Sequence, residues 1–159
     1  MKFKIGIGYD IHRLVPGRKL VLGGITIEHS KGLLAHSDGD VLIHAISDAI
    51  LGALALPNIG EAFPNSEAWT KDIDSKEILR YAKGKMINFN CEISNLDATI
   101  IAQEPQLARH ITSMRSSLAE ILDLETDSIG LKATSSEGLG EIGHGAAIAA
   151  IANVIIFSR

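Results

Sequence analysis

Lys2-Phe3-Lys4-Ile5-Gly6-Ile7-Gly8-Tyr9-Asp10-Ile11-His12 alternates with a period of two, Phe3, Ile5, Ile7 and Tyr9 falling on one side and Lys2, Lys4, Gly6 and Gly8 on the other. Only an extended strand turns successive side chains to opposite faces in this way. Asp10 and His12 sit two residues apart at its end and so project to one face. Downstream, Pro16-Gly17 breaks the chain, and Leu20-Val21-Leu22 and Ile25-Thr26-Ile27 flank Gly23-Gly24 as a small peripheral β ribbon. The polar run His36-Ser37-Asp38-Gly39-Asp40 leads into Val41 to Leu56, a helix apolar nearly all round and therefore buried, with Pro57 as its stop. Asn58 to Ile73 shows no period and reads as a functional or mobile loop. Asp74 caps a helix with its apolar stripe at Ile78, Leu79, Ala82 and Met86, ending near Asn88. Leu96, Ala98, Ile100 and Ala102 mark a strand, and Leu107, Ile111, Met114, Leu118, Ile121 and Leu122 a helix. Ile129, Leu131 and Ala133 mark another strand. Ala146 to Phe157 is ambiguous at its alanines, but Val154-Ile155-Ile156-Phe157 favours strand. The order predicts an α/β (α+β) fold over residues 1–159. It is a single domain with a mixed four-stranded sheet, helices on one face and the small ribbon at the periphery.

Composition bounds the function. A chain of 159 residues with 46% hydrophobic and 21% charged residues can bury a core. No apolar run approaches the roughly 18 residues that span a bilayer. The start lacks a secretory h-region or a transit leader, so the chain reads as a cytoplasmic, bacterial protein. Net charge −4 and 4% aromatic residues argue against a nucleic-acid grip. A single cysteine, Cys91, leaves metal chemistry to His, Asp and Glu.

Asp10, His12 and His44 are three ligand types suited to Zn²⁺, and three protein ligands leave the open position that a catalytic zinc needs. The plain alternatives are a capping Asp beside an exposed His, and a hydrogen-bonded core histidine at position 44. His36 to Asp40 precedes a helix N-terminus, where an anion or a simple cap fits equally. Lys132-Ala133-Thr134-Ser135-Ser136-Glu137 offers a cation, three hydroxyls and a carboxylate, a set that suits a diphosphate with a divalent cation or else an ordinary turn. Asp48, one turn beyond His44, reads as a partner of that ring or of water. His29 and His110 read as surface residues, and Cys91 as part of a polar connection.

Taken in order, Gly8-Tyr9-Asp10-Ile11-His12, Gly32 to Ala45, Asn58-Ile59-Gly60 with Phe63-Pro64, Thr99 to Pro105, and Lys132 to Gly140 resemble the 2-C-methyl-D-erythritol 2,4-cyclodiphosphate synthase family across essentially the whole chain. The Gly32 to Ala45 block is the most specific element.

The resemblance implies a phosphorus-oxygen lyase of non-mevalonate isoprenoid biosynthesis. It would convert 4-diphosphocytidyl-2-C-methyl-D-erythritol 2-phosphate to the cyclic diphosphate and CMP by intramolecular phosphoryl transfer. Carried over by position, Asp10, His12 and His44 hold zinc, and Glu137 holds Mg²⁺ or Mn²⁺. His36 and Ser135 stabilise the transition state, and Ser37 contacts the erythritol phosphate. Asn58, Ile59 and Gly60 with Phe63, Pro64, Asn65, Ser66 and Glu67 line the sugar pocket. Ala102, Gln103, Glu104, Pro105, Gln106, Leu107 and Ala108 cradle cytosine, and Lys132, Thr134 and Ser136 bind substrate beside Ser135. Family members are homotrimers with sites between subunits and with sheets facing an apolar axial channel. Asn58, Asn65 and Gln106 stand where Asp, Asp and Lys are usual, and Glu141 and His144 replace the aromatic and arginine of the channel mouth. The alternatives are a trimeric isoprenoid-diphosphate binding protein and a zinc phosphoesterase that uses Asp38 or Asp40 as its base.

Overall fold

The computed structural model describes residues 2–158. Five strands form one mixed sheet in the order β4-β1-β7-β5-β6, built from β1 (Lys2–Pro16), β4 (Lys31–Leu34), β5 (Cys91–Ile101), β6 (Ile129–Thr134) and β7 (Ala147–Ser158). All neighbours are antiparallel except β5 and β6. That parallel pair needs a crossover, which α4 (Ile111–Leu122) supplies. β2 (Leu20–Leu22) and β3 (Ile25–Ile27) make the separate ribbon. The sheet has one strand more than expected: Lys31–Leu34 is too short to show a period and forms only by pairing with Arg13–Pro16. The ambiguous C-terminal segment is a strand because it lies between β1 and β5, hydrogen-bonded along both edges.

β1 presents its two faces in an unexpected way. Gly6 and Gly8 are buried, whereas Phe3, Ile5, Ile7 and Tyr9 are exposed, Ile5 to 73%. The glycines face α1 (Val41–Ala53), whose backbone approaches so closely that a Cβ on Gly8 would lie 1.8 Å from the Ala45 carbonyl oxygen. Only the absence of a side chain allows that approach. α1 is buried nearly all round, between the sheet and α3 (Ser75–Asn88). It ends earlier than Pro57 dictates. Ala55 is left-handed at φ +57°, its N–H donates to Gly52 O at 2.9 Å, and Leu56 N–H reaches back to Leu51 O at 3.0 Å. This pair of bonds closes a helix on a left-handed residue. The expected loop contains a short helix, α2 (Ile59–Ala62), capped by Asn58, and the glycine-rich segment contains another, α5 (Gly140–Gly143). Asp74 caps α3 as its sequence predicts.

Candidate metal centre and substrate clefts

The fold brings the end of β1 against the first turn of α1. There Asp10 Oδ2, His12 Nε2 and His44 Nδ1 meet at 3.0 Å (His12 to Asp10), 2.9 Å (His44 to Asp10) and 3.1 Å (His12 to His44). Three such atoms within 4.8 Å of one another can hold one metal ion. Ligands around a tetrahedral Zn²⁺ with bonds of about 2.0–2.1 Å lie roughly 3.3 Å apart, so the set fits with a slight opening. Burial opposes a charged Asp10, but the hydrogen bonds and charges of His12 and His44 outweigh it and hold the carboxyl well below its ordinary range. Burial also opposes a charged His44, and here Asp10 outweighs it and raises the ring's pKa. A strongly acidic carboxyl beside a ring whose pKa it raises makes a ligand set in which cation binding is coupled to proton release.

A cleft of about 510 Å³ opens on this cluster. His36, Ser37, Asn58, Ile59, Gly60, Phe63 and Asn65 line it, together with Tyr9, Asp48 and Thr70. The expected pocket residues Pro64, Ser66 and Glu67 are not part of this lining; the Pro64 and Glu67 carbonyls accept from the Thr70 hydroxyl at 2.9 and 2.7 Å, which ties the loop down. Phe63 packs against Trp69 and Tyr81 with ring centroids 5.7 and 5.2 Å apart. His36 Nε2 is buried without a hydrogen-bond partner.

The segment before α1 is a lattice of supports. Asp40 is fully buried and caps the helix through Ile43 N–H at 3.0 Å. Its carboxylate also accepts from Gly23 N–H at 3.0 Å and Gly24 N–H at 2.7 Å, pinning the ribbon. Asp38 accepts from the backbone N–H groups of Asp40 at 3.1 Å and Ser75 at 3.0 Å, and from the Ser75 hydroxyl. Both carboxylates are committed as acceptors, so neither is placed as a general base.

Elsewhere, Ala102, Gln103, Pro105, Gln106, Leu107 and Ala108 line a second cleft of about 830 Å³ with Lys132, Thr134 and Ser135. Ser135 Oγ donates to Glu137 Oε1 at 3.1 Å and accepts from the Glu137 N–H at 3.2 Å. Gln103 Oε1 accepts from Gly138 N–H at 3.2 Å, and Ser136 Oγ donates to Leu139 O at 2.8 Å. Lys132 is paired with Asp97 at 2.5 and 2.7 Å. Glu104 is turned to Lys31 at 2.8 Å, not into the cleft. The two clefts share no lining residue.

Three further sequence expectations change, and one residue beside the candidate metal centre had none. His29 is largely buried, with its Nε2 unpartnered and 3.8 Å from Glu104 Oε1. Cys91 is buried at the start of β5. Asp48 accepts from Ile59 N–H at 2.8 Å and so joins α1 to α2, with no direct hydrogen bond to His44. Ser75 went unrecognised beside the metal centre: its hydroxyl lies 2.9 Å from His44 Nε2, and thirty-one residues of separation conceal it.

Comparison with known proteins agrees with this geometry. The YgbB family model matches residues 3–157. A 2-C-methyl-D-erythritol 2,4-cyclodiphosphate synthase from Syntrophomonas wolfei is 49% identical over 153 residues, which is 96% of this chain and 98% of the relative. The bifunctional IspDF from Campylobacter jejuni superposes with a TM-score of 0.95 at 39% identity over 99% of this chain, which spans 43% of that longer protein. IspF from Plasmodium falciparum, in a CDP complex, superposes with a TM-score of 0.87 at 35% identity over 99% of this chain and 97% of its own. With a triad able to hold a metal at the strand–helix junction and full-length matches at this identity, the chain belongs to the YgbB family, that of the 2-C-methyl-D-erythritol 2,4-cyclodiphosphate synthases.

Proposed function

We propose that this chain is a phosphorus-oxygen lyase that converts 4-diphosphocytidyl-2-C-methyl-D-erythritol 2-phosphate to 2-C-methyl-D-erythritol 2,4-cyclodiphosphate and CMP. The observation that carries the reading is the Asp10, His12 and His44 cluster at the floor of a cleft whose other walls are the expected sugar-binding residues. An oxygen of the 2-phosphate attacks the β-phosphorus while the bond from that phosphorus to the bridging oxygen breaks, and CMP leaves with the bridging oxygen. No protein nucleophile is needed, so positioning and charge neutralisation dominate.

Asp10, His12 and His44 would hold Zn²⁺, and Glu137 would hold Mg²⁺ or Mn²⁺. When bound, these ions polarise phosphate oxygens and neutralise developing charge. His36, its Nε2 free of any protein partner, is available to donate to a phosphoryl oxygen, with Ser135 and Ser37 as further donors. Asn58, Ile59, Gly60, Phe63 and Asn65 orient the erythritol. The Ala102 to Ala108 segment receives cytosine between backbone groups, with Lys132, Thr134 and Ser136 beside it, and a CDP complex of the Plasmodium falciparum relative supports a cytidyl ligand.

A homotrimer with sites between subunits completes this reading. β7 and β5 separate β1 from β6, which places the metal centre and the Ser135–Glu137 turn on strands about 14 Å apart at roughly 4.8 Å per strand. One diphosphate does not bridge that span, whereas a neighbouring copy can bring its own turn to the cleft. The exposed stripe of Phe3, Ile5, Ile7, Tyr9 and Ile11 gives the copies an apolar face to share. The chain acts as one catalytic domain over residues 1–159 in the cytoplasm, and no described helix is long and apolar enough to cross a membrane.

Incubation with the cytidyl substrate and Mg²⁺, with and without a zinc chelator, tests this by phosphorus NMR. Equimolar CMP and cyclic diphosphate, suppressed by chelation, is expected. A linear product would point to a phosphoesterase, and binding without CMP release to a binding protein.

A further inference from the structure

The hydrogen bonds behind His44 have a fixed direction. An ionised carboxylate can only accept, so Ser75 spends its one hydroxyl proton on Asp38 Oδ1. The lone pairs of Ser75 Oγ then face His44 Nε2 at 2.9 Å, and that contact is a hydrogen bond only if Nε2 carries a proton. Ser37 Oγ, at 3.3 Å from the same nitrogen, accepts from Gly39 N–H at 3.2 Å and stands as a second, longer acceptor. A neutral His44 with its proton on Nε2 has its free lone pair on Nδ1, the atom that faces Asp10 Oδ2 and His12 Nε2.

Asp38 is held for this task. Its two oxygens accept from Ser75 N–H, Asp40 N–H and the Ser75 hydroxyl, and Asp38 N–H donates to Ile73 O at 3.1 Å. Ser75 is fully buried at the first position of α3, so its hydroxyl is closed off from bulk solvent. Two helices therefore close on one ring, α1 carrying His44 and α3 carrying the group that orients it.

We propose that Asp38 and Ser75 are positioning residues: a carboxylate–hydroxyl–imidazole relay that fixes the tautomer of His44 and aims Nδ1 at the metal. The proposal rests on the metal-binding part of the function proposed above. Hydrogen bonds of this kind to a ligating histidine affect metal affinity about 10- to 100-fold when removed. Asp38→Asn has a sharper consequence than simple loss. If the carboxamide turns its NH₂ to Ser75, the serine hydroxyl reverses, donates to His44 Nε2, and moves the ring proton to Nδ1, where it blocks the ligand position.

The test uses the full chain as purified, in three variants: Ser75→Ala, Ser75→Thr and Asp38→Asn. Zn²⁺ affinity is measured by competition with a chromophoric chelator, and the His44 tautomer by long-range proton–nitrogen NMR on the metal-free protein. The expected result is a 10- to 100-fold loss of Zn²⁺ affinity in Ser75→Ala, with recovery to within a few-fold in Ser75→Thr. Proton occupancy at Nε2 is expected in the wild type and should be lost in Asp38→Asn. Wild-type affinity in Ser75→Ala, or a wild-type ring with no proton on Nε2, would overturn the relay. If Asp38→Asn does not fold, the serine pair alone decides. Failure of the wild-type chain to bind Zn²⁺ would overturn the metal reading itself, a result separate from the tautomer seen by NMR.

Discussion

Replacing Gly8 by alanine should destabilise the protein and empty its metal centre in one step. In an ordinary strand the same change stabilises by about 0.5–1 kcal/mol, because glycine loses more backbone freedom on folding. Here the new Cβ would lie 1.8 Å from the Ala45 carbonyl oxygen, where real Cβ atoms stay beyond 3.0 Å. Strand and helix must therefore part by more than about 1 Å, and because the obstructing atom is backbone, no side chain can rotate to relieve it. Overpacking costs about 1–3 kcal/mol, and this case belongs at the upper end. Three kcal/mol corresponds to a fall in Tm of roughly 6–12 °C for a chain of this size. Ala45 follows His44 directly, whereas Asp10 and His12 ride on β1, so the same separation pulls the ligand set apart by far more than the ~0.2 Å a metal site tolerates. Thermal unfolding at fixed protein concentration and chelator competition for Zn²⁺ read the two effects. Gly52→Ala is the control on the same helix: its Cβ would meet only Ile7 O at 3.7 Å, an ordinary contact, so it should stabilise by about 0.5–1 kcal/mol. If Gly8→Ala melts within a degree or two of wild type with full Zn²⁺ affinity, the close-approach reasoning is wrong.

Asp40→Ala removes a cap and leaves the Gly23 and Gly24 N–H groups without their acceptor, so urea unfolding should show a loss of about 2–4 kcal/mol. Ala55→Gly should raise stability by up to about 1 kcal/mol, since only the residue type, not the helix-closing bonds, changes. In the metal-free protein the raised His44 pKa adds stability that is complete below its ordinary value of 6.5 and lost as pH rises through the folded value. The lowered Asp10 pKa adds stability that is present above its ordinary 3.8 and lost on acidification below it. Calorimetry in buffers of different ionisation enthalpy should accordingly show Zn²⁺ binding near neutral pH releasing protons. His44→Ala and Glu137→Gln should each be inactive alone, yet an unfolded and refolded 1:1 mixture should recover about a quarter of wild-type turnover if neighbouring copies share each site; a mixture as inactive as its parents would count against shared sites.

Much of this was legible in the sequence because the signals are local. The period-two run of β1, the Asp74 cap and the +4, +3 spacing through α4 each depend on residues a few positions apart, and each formed as read. β4 was hidden because three of its four residues are Gly32-Leu33-Leu34, and its strand character comes from partners 15 to 21 residues away. α2 was hidden because Asn58 caps a single turn that no period can reveal. The candidate metal ligands could be nominated from residue type and spacing, yet Ser75 could not, since its contact with His44 exists only once α3 packs against α1. Asp38 and Asp40 looked alike in the run His36 to Asp40. Burial separates them, one holding the ribbon and helix, the other the relay.

Trp69 packs its ring against Phe63 at the wall of the metal cleft and is itself 58% exposed. It is also the single tryptophan in the sequence. Excitation at the red edge of the indole band therefore interrogates one ring, seated on a residue that lines the cleft proposed to take the erythritol. Occupancy of the cleft is thus an optical quantity: a stopped-flow trace of unlabelled protein should resolve substrate arrival as a change in emission before any phosphorus has moved.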